Sequence, residues 1–93
     1  MITIKKYAKE VCPACRMVDA YLRSESDFIA EQNLTIETID VMNDLTEDER
    51  DNLPFQSVPF MLFYRNDVLM AKSHGFAIPD EFRDCVQIAK EAK

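Results

Sequence analysis

The sequence predicts an α/β fold in a single domain over residues 1–93: a four-stranded mixed sheet with helices on both faces, in the order β-α-β-α-β-β-α. Three observations carry this. Segments with strand-like alternation are interleaved with segments of helical period. The run Phe60-Met61-Leu62-Phe63-Tyr64 is short, apolar and aromatic, as suits a strand covered on both faces. Arg65-Asn66-Asp67 then supplies the turn chemistry that folds it back on a neighbour. A length of 93 residues fits one domain, and 47% apolar with 30% charged residues is a globular mixture rather than a disordered one.

Ile2 and Ile4, continued by Lys6 and Tyr7, predict a first strand ending before Cys12. From Pro13 the pattern turns helical: Ala14, Val18, Tyr21/Leu22 and Phe28/Ile29 recur at three- to four-residue steps, and Asn33 supplies the stop. Residues 34–41 alternate apolar and polar as a second strand. Thr46-Glu47-Asp48-Glu49 has the S/T-x-x-E form of a capping box and opens a short helix that stops before Pro54, with the acidic run 47–51 as its solvated face. The third strand follows Val58-Pro59, and residues 68–73 return as its hairpin partner. A last helix opens at Pro79, with Asp80 and Glu81 in its first turn, and ends with Lys90 and Lys93, so its charges complement the helix dipole.

Composition excludes several functions. Gly75 is the single glycine, so no glycine-rich phosphate loop can be written. His74 is the single histidine, which removes HExxH and Cys₂His₂ metal sites. With 11 basic against 17 acidic residues the net charge is −6, no footprint for nucleic acid or an anionic membrane surface. Met1-Ile2-Thr3-Ile4-Lys5-Lys6 lacks the apolar run of a secretion signal, and no stretch approaches membrane-spanning length. The expected location is cytoplasmic. Three cysteines is an odd number, against a purely structural disulfide framework.

Cys12-Pro13-Ala14-Cys15 stands where the first strand passes into the first helix. Thiols three positions apart at a helix start can reach each other to form a disulfide. The first also faces unpaired backbone N–H groups and the positive end of the helix dipole, which stabilise a thiolate and lower its pKa from about 8.5. A thiolate is the species that attacks a disulfide. Pro13 suits the first helical turn, where its missing N–H has no partner to lose, and Arg16 adds a nearby positive charge. The competing readings are incidental cysteines and a metal pair. A metal pair needs further ligands, and the chain offers only Cys85 and His74, which leaves a centre shared between two chains. CxxC beside a βαβ pattern favours redox chemistry. Cys85 falls with Phe82, Val86 and Ala89 on the apolar face of the last helix, as a core residue.

On these residues the chain resembles the thioredoxin superfamily over nearly its full length. Strand-CPAC-helix comes first, and the spacing from Cys12 to Leu34 is closer to thioredoxin than to glutaredoxin. Val58-Pro59 matches the family's cis-proline dipeptide. Tyr64-Arg65-Asn66-Asp67 is similar to the thioredoxin hairpin, with Gly75 at the family glycine. The resemblance implies a minimal thioredoxin fold, without the usual extra first strand and helix. Three departures stand out. Val11 replaces the usual tryptophan, and Lys6 occupies the position of the buried aspartate that serves the resolving thiol. His74-Gly75-Phe76-Ala77 replaces the Gly-Gly-x-Asp stretch with which glutaredoxins hold glutathione.

The function expected from the cysteine pair and the resemblance together is a dithiol–disulfide oxidoreductase acting on disulfide-containing protein substrates. Cys12 is its nucleophile and Cys15 its resolving thiol, joined by the dipeptide Pro13-Ala14. The resemblance implies a cis Pro59, with Val11, Val58, Pro59, Gly75 and Phe76 as the substrate-contacting set. Phe76 reads equally as core or contact surface, and His74 as a thiol-tuning group or a solvated loop residue. Glu10 and Arg16 are the candidates for tuning the thiols; Glu10 or a water is the candidate proton acceptor for Cys15. No cofactor or metal is expected beyond the redox disulfide. Electrons are expected from NADPH through thioredoxin reductase, to a monomer with no nucleic-acid or membrane partner. The alternatives are a glutathione-dependent glutaredoxin and a non-catalytic binding module of the same fold. The scheme requires the Cys12 sulfur to lie within bonding reach of Cys15 and not to be sealed inside.

Overall fold

Alternation along β1 (Ile2–Ala8) sends Ile2 and Ile4 to one face of the sheet and Tyr7 to the other. In the computed structural model, which describes residues 1–55 and 57–91, this strand is central. The sheet order is β2-β1-β3-β4, with β2 at Leu34–Asp40, β3 at Phe60–Arg65 and β4 at Val68–His74. β1 runs parallel to β2, with Ile4 opposite Ile36, and antiparallel to β3, with Ile4 opposite Phe63. A parallel pair needs a crossover connection, supplied here by the helical segment between β1 and β2. β3 and β4 form an antiparallel hairpin in which Asn66 and Asp67 both have positive φ, 50° and 69°. Two such residues in succession are what a turn matched to the strand twist requires.

The aromatic run behaves as a strand buried on both faces. Met61 and Phe63 join Val18, Leu22, Phe82 and Val86 in the larger core, while Phe60 and Leu62 pack with Tyr7 and Val41 in the smaller one. The larger core lies beneath α1 (Pro13–Ser24) and α4 (Ile78–Glu91). The smaller lies beneath the segment carrying α3 (Glu47–Asp51), whose own residues bury nothing; Leu45, Leu53 and Phe55 on its flanks cover that face. Thr46 caps α3 as its sequence predicts: its Oγ1 accepts from the Glu49 N–H at 3.2 Å, and the Glu49 carboxylate accepts from the Thr46 N–H at 2.9 Å.

One expectation is corrected. The helical pattern from Pro13 to Asn33 is two helices, α1 and α2 (Ser26–Glu31), broken at Glu25. The Ser24 hydroxyl donates to the Tyr21 carbonyl at 2.5 Å, and the Glu25 N–H is shared between the Tyr21 and Leu22 carbonyls. Such a back-bond competes with the helical ladder and bends it. Arg83 of α4 holds the break in place through a two-pronged contact with the Glu25 carboxylate, at 2.6 and 2.9 Å, while its guanidinium lies over the Phe28 ring. Asn33 ends the segment with φ 56°.

In α4 the buried residues are Ile78, Phe82, Cys85, Val86 and Ala89, the apolar stripe of the sequence pattern. Lys93, expected at the end of this helix, lies outside the described residues. Among the described residues no helix is long and apolar enough to cross a membrane.

Candidate active site: a cysteine pair at a helix mouth

Cys12 is the N-cap of α1, with extended backbone angles, and Pro13 opens the helix. The Cys12 carbonyl accepts from the Arg16 N–H at 3.1 Å, while the Cys12 Sγ accepts from the Cys15 N–H at 3.1 Å. Sulfur thus takes the place that a serine or aspartate oxygen takes in an ordinary cap. Cys12 and Cys15 are joined in a disulfide with their Cα atoms 5.2 Å apart, so the required bonding reach is met. The second requirement, a Cys12 sulfur that is not sealed inside, meets a site with little exposure. Cys12 is 5% exposed and Cys15 3%, so in the disulfide state both residues are buried.

The surrounding residues are uneven in character. Val11 is 79% exposed and Phe76 73%, so Phe76 belongs to the surface and not to the core. Glu10, Pro13 and Arg16 are exposed, and Ala14 is half-buried. The Val58–Pro59 peptide bond is cis. Pro59 is buried, and its carbonyl accepts from the Gly75 N–H at 2.9 Å, tying the segment before β3 to the short helical turn Gly75–Ala77. Gly75 has φ 59°, a conformation that side chains resist. Val58 is half-buried and lines a groove of about 480 Å³ with Lys9, Met42 and Phe55. His74 is exposed and stacks on Phe60 at 5.8 Å. Among the described residues no group of three or more His, Cys, Asp or Glu is placed to hold a metal ion.

Cys85 sits in the larger core, where its thiol contacts the Lys72 carbonyl at 3.9 Å. Burial, with help from the Glu81 and Asp84 charges, pushes its pKa up to about 11. It is a packing residue and stands apart from the redox pair.

One pairing near the start of α1 is not read from the sequence. Lys6, 7% exposed, extends the apolar row of Ile2 and Ile4 beneath α1 and forms an ion pair and hydrogen bond with Asp19 of that helix. The signal was present: Lys6 is in phase with Ile2 and Ile4 along the strand, and Asp19 falls on the helix face of Cys15, Val18 and Leu22.

This arrangement of sheet, helices and helix-mouth disulfide is the thioredoxin fold. The solved structures it resembles include a malarial protein, with TM-score 0.77 and 12% identity over 96% of this chain and 97% of that one. The thioredoxin of Fasciola hepatica gives TM-score 0.76 and 15% identity over 95% and 80%. That of Trypanosoma brucei brucei gives 0.77 and 13% over 94% and 73%. No protein-family model matches the chain, and no curated protein does.

Proposed function

We propose that the protein is a dithiol–disulfide oxidoreductase that reduces disulfides in protein substrates. The observation that carries this is the Cys15 N–H aimed at the Cys12 sulfur, 3.1 Å away, at the mouth of a twelve-residue helix. In the reduced protein that donor and the helix dipole face the sulfur that must ionise. The Cys12 thiolate attacks one sulfur of the substrate disulfide. The substrate S–S bond breaks, one substrate sulfur leaves as a thiolate and takes a proton, and the other stays bonded to Cys12. Cys15 then loses its proton and attacks the Cys12 sulfur. The bond to the substrate breaks, the second substrate thiolate leaves, and the Cys12–Cys15 disulfide closes. Two electrons pass from protein to substrate.

Val11, Val58, Pro59, Gly75 and Phe76 receive the substrate, in keeping with the exposed apolar side chains of Phe76 and of Val11, which precedes Cys12 in the chain. The backbone of Val58 pairs with an extended substrate segment, a short form of strand addition. Electrons come from NADPH through thioredoxin reductase, a choice supported by His74-Gly75-Phe76-Ala77 in place of a glutathione-holding stretch. The protein works as a cytoplasmic monomer.

The trap experiment decides the chemistry. A Cys15→Ser protein accumulates mixed disulfides through Cys12, and failure to capture any overturns the proposal. Insulin reduction coupled to NADPH through thioredoxin reductase, run beside the same assay with glutathione and glutathione reductase, assigns the electron donor. Equal partner binding by wild type and a Cys12→Ser/Cys15→Ser double variant would instead mark a binding module.

A further inference from the structure

The Lys6–Asp19 pair occupies positions that packing alone would fill with apolar side chains. Lys6 extends the row of Ile2 and Ile4, both in the larger core, and is itself nearly inaccessible. Asp19 interrupts the stripe Cys15, Val18, Leu22 of α1, whose other three members are buried. The Lys6 side chain is only 9% exposed while that of Asp19 is 39% exposed, so it is the ammonium that has lost its water, and replacing such a buried charge and its partner by hydrophobic residues is often neutral or stabilising. Stability is therefore a weak reason for the pair. Its position offers a better one. Asp19 follows Cys15 by one helical turn, a spacing that brings Cβ atoms to about 5–6 Å on the same face.

Cys15 is buried, and it must shed a proton before it can attack Cys12. We propose that the Asp19 carboxylate, held in place by Lys6, accepts that proton, directly or through one water, as Cys15 attacks. This deepens the reductase reading and rests on it. The step balances simply: the Cys15 S–H bond breaks and a carboxyl O–H forms, while the Cys15–Cys12 S–S bond forms and the Cys12–substrate S–S bond breaks. Asp19 then returns its proton to solvent. An exit exists, because Lys6 and Asp19 line an open groove of about 510 Å³. Arg23 is its other charged lining residue; α2 contributes Ser26 and Ile29, and β2 contributes Ile36, none of them charged. Glu10, the acceptor expected from sequence, is exposed on the loop before Cys12 and does not share this groove.

A limiting amount of dithionitrobenzoate, mixed with excess reduced protein, separates the two chemical steps. The first released chromophore reports attack by Cys12 and the second reports resolution by Cys15. The Asp19→Asn variant is expected to lower the ratio of second to first rate roughly a hundredfold at neutral pH, the usual scale of a lost general base. Its second phase should also climb about tenfold per pH unit, following the thiolate fraction of Cys15 alone, where the wild type stays nearly flat. Asp19→Glu should restore most of the ratio. Because Asp19→Asn strands a buried ammonium, a Lys6→Met/Asp19→Asn double variant provides the second measurement and should show the same slow, pH-dependent resolution. A double variant that resolves as fast as wild type, with the same pH profile, overturns the assignment. A wild-type protein with no first phase would instead sink the reductase reading itself.

Discussion

The backbone N–H of Cys15 donates to the sulfur of Cys12 at 3.1 Å, so the cap of α1 is a sulfur atom. A cap acceptor is stabilised further when it carries negative charge, because the helix dipole and the orphan N–H groups then act together. Reduction of the disulfide places a thiol there, and the same geometry favours its ionised form.

Alkylation of the reduced protein by iodoacetamide, followed against pH, should therefore show an inflection for Cys12 well below about 8.5, within the range of about 3.5–7.5 seen for such motifs. Cys85 provides the internal contrast: burial pushes its pKa up to about 11, and its peptide should stay unlabelled through neutral pH. Mass spectrometry of the labelled peptides separates the two. An unshifted Cys12 removes the physical basis of the proposed activity.

Gly75→Ala isolates backbone strain from crowding. A Cβ at this position meets nothing within 4 Å, yet φ is +59°. The expected loss is roughly 1–2 kcal/mol from the left-handed conformation alone, read as a lower urea midpoint with an unchanged slope. A larger loss would mean that the contact between the Gly75 N–H and the Pro59 carbonyl fails as well.

Glu25 predicts a specific acid response. Its carboxyl is held below the ordinary range, first by hydrogen bonding to Arg83 and then by the Tyr21 hydroxyl, against the opposing effect of burial. A depressed carboxyl contributes stability that is present above its unfolded value, near pH 4–5, and is lost as pH falls through the folded one. Arg83→Met should weaken that part of the acid limb while leaving the curve at higher pH nearly parallel. Thermal melts between pH 3 and pH 7 check it; identical acid limbs in the two proteins would count against the contact.

Cys85→Ala tests whether the third cysteine belongs to packing alone. It removes a buried sulfur from the core around Phe82 and Val86 and should cost about 1–2 kcal/mol. Both phases of disulfide exchange should keep their wild-type rates. A slowed second phase would show that Cys85 takes part in resolution.

Most of the fold was legible because local chemistry and tertiary demand agree. Residues 60–64 are apolar at every step and end up between two cores; Thr46 and Glu49 sit at capping-box spacing and make both bonds. The break at Glu25 was not legible, because the residues on either side keep one helical period. The deviation lies in a hydroxyl back-bond and in an arginine that arrives from residue 83. The burial of Cys12 escaped for a similar reason, since accessibility depends on tertiary packing that local spacing does not record.

The amino-acid order by itself determined the strands, the hairpin, the cysteine pair at the start of a helix and the assignment of Cys85 to the core. These follow from period, turn residues and spacing, all of which act over a few positions. Only the tertiary structure decided that Lys6 of β1 meets Asp19 of α1, one helical turn after Cys15. Neither is remarkable alone: a lysine in a strand and an aspartate in a helix usually face water. Register sets Lys6 on the face that packs beneath α1, helical phase brings Asp19 to the edge of the same place, and the burial of Lys6 obliges its charge to pair with that half-exposed carboxylate.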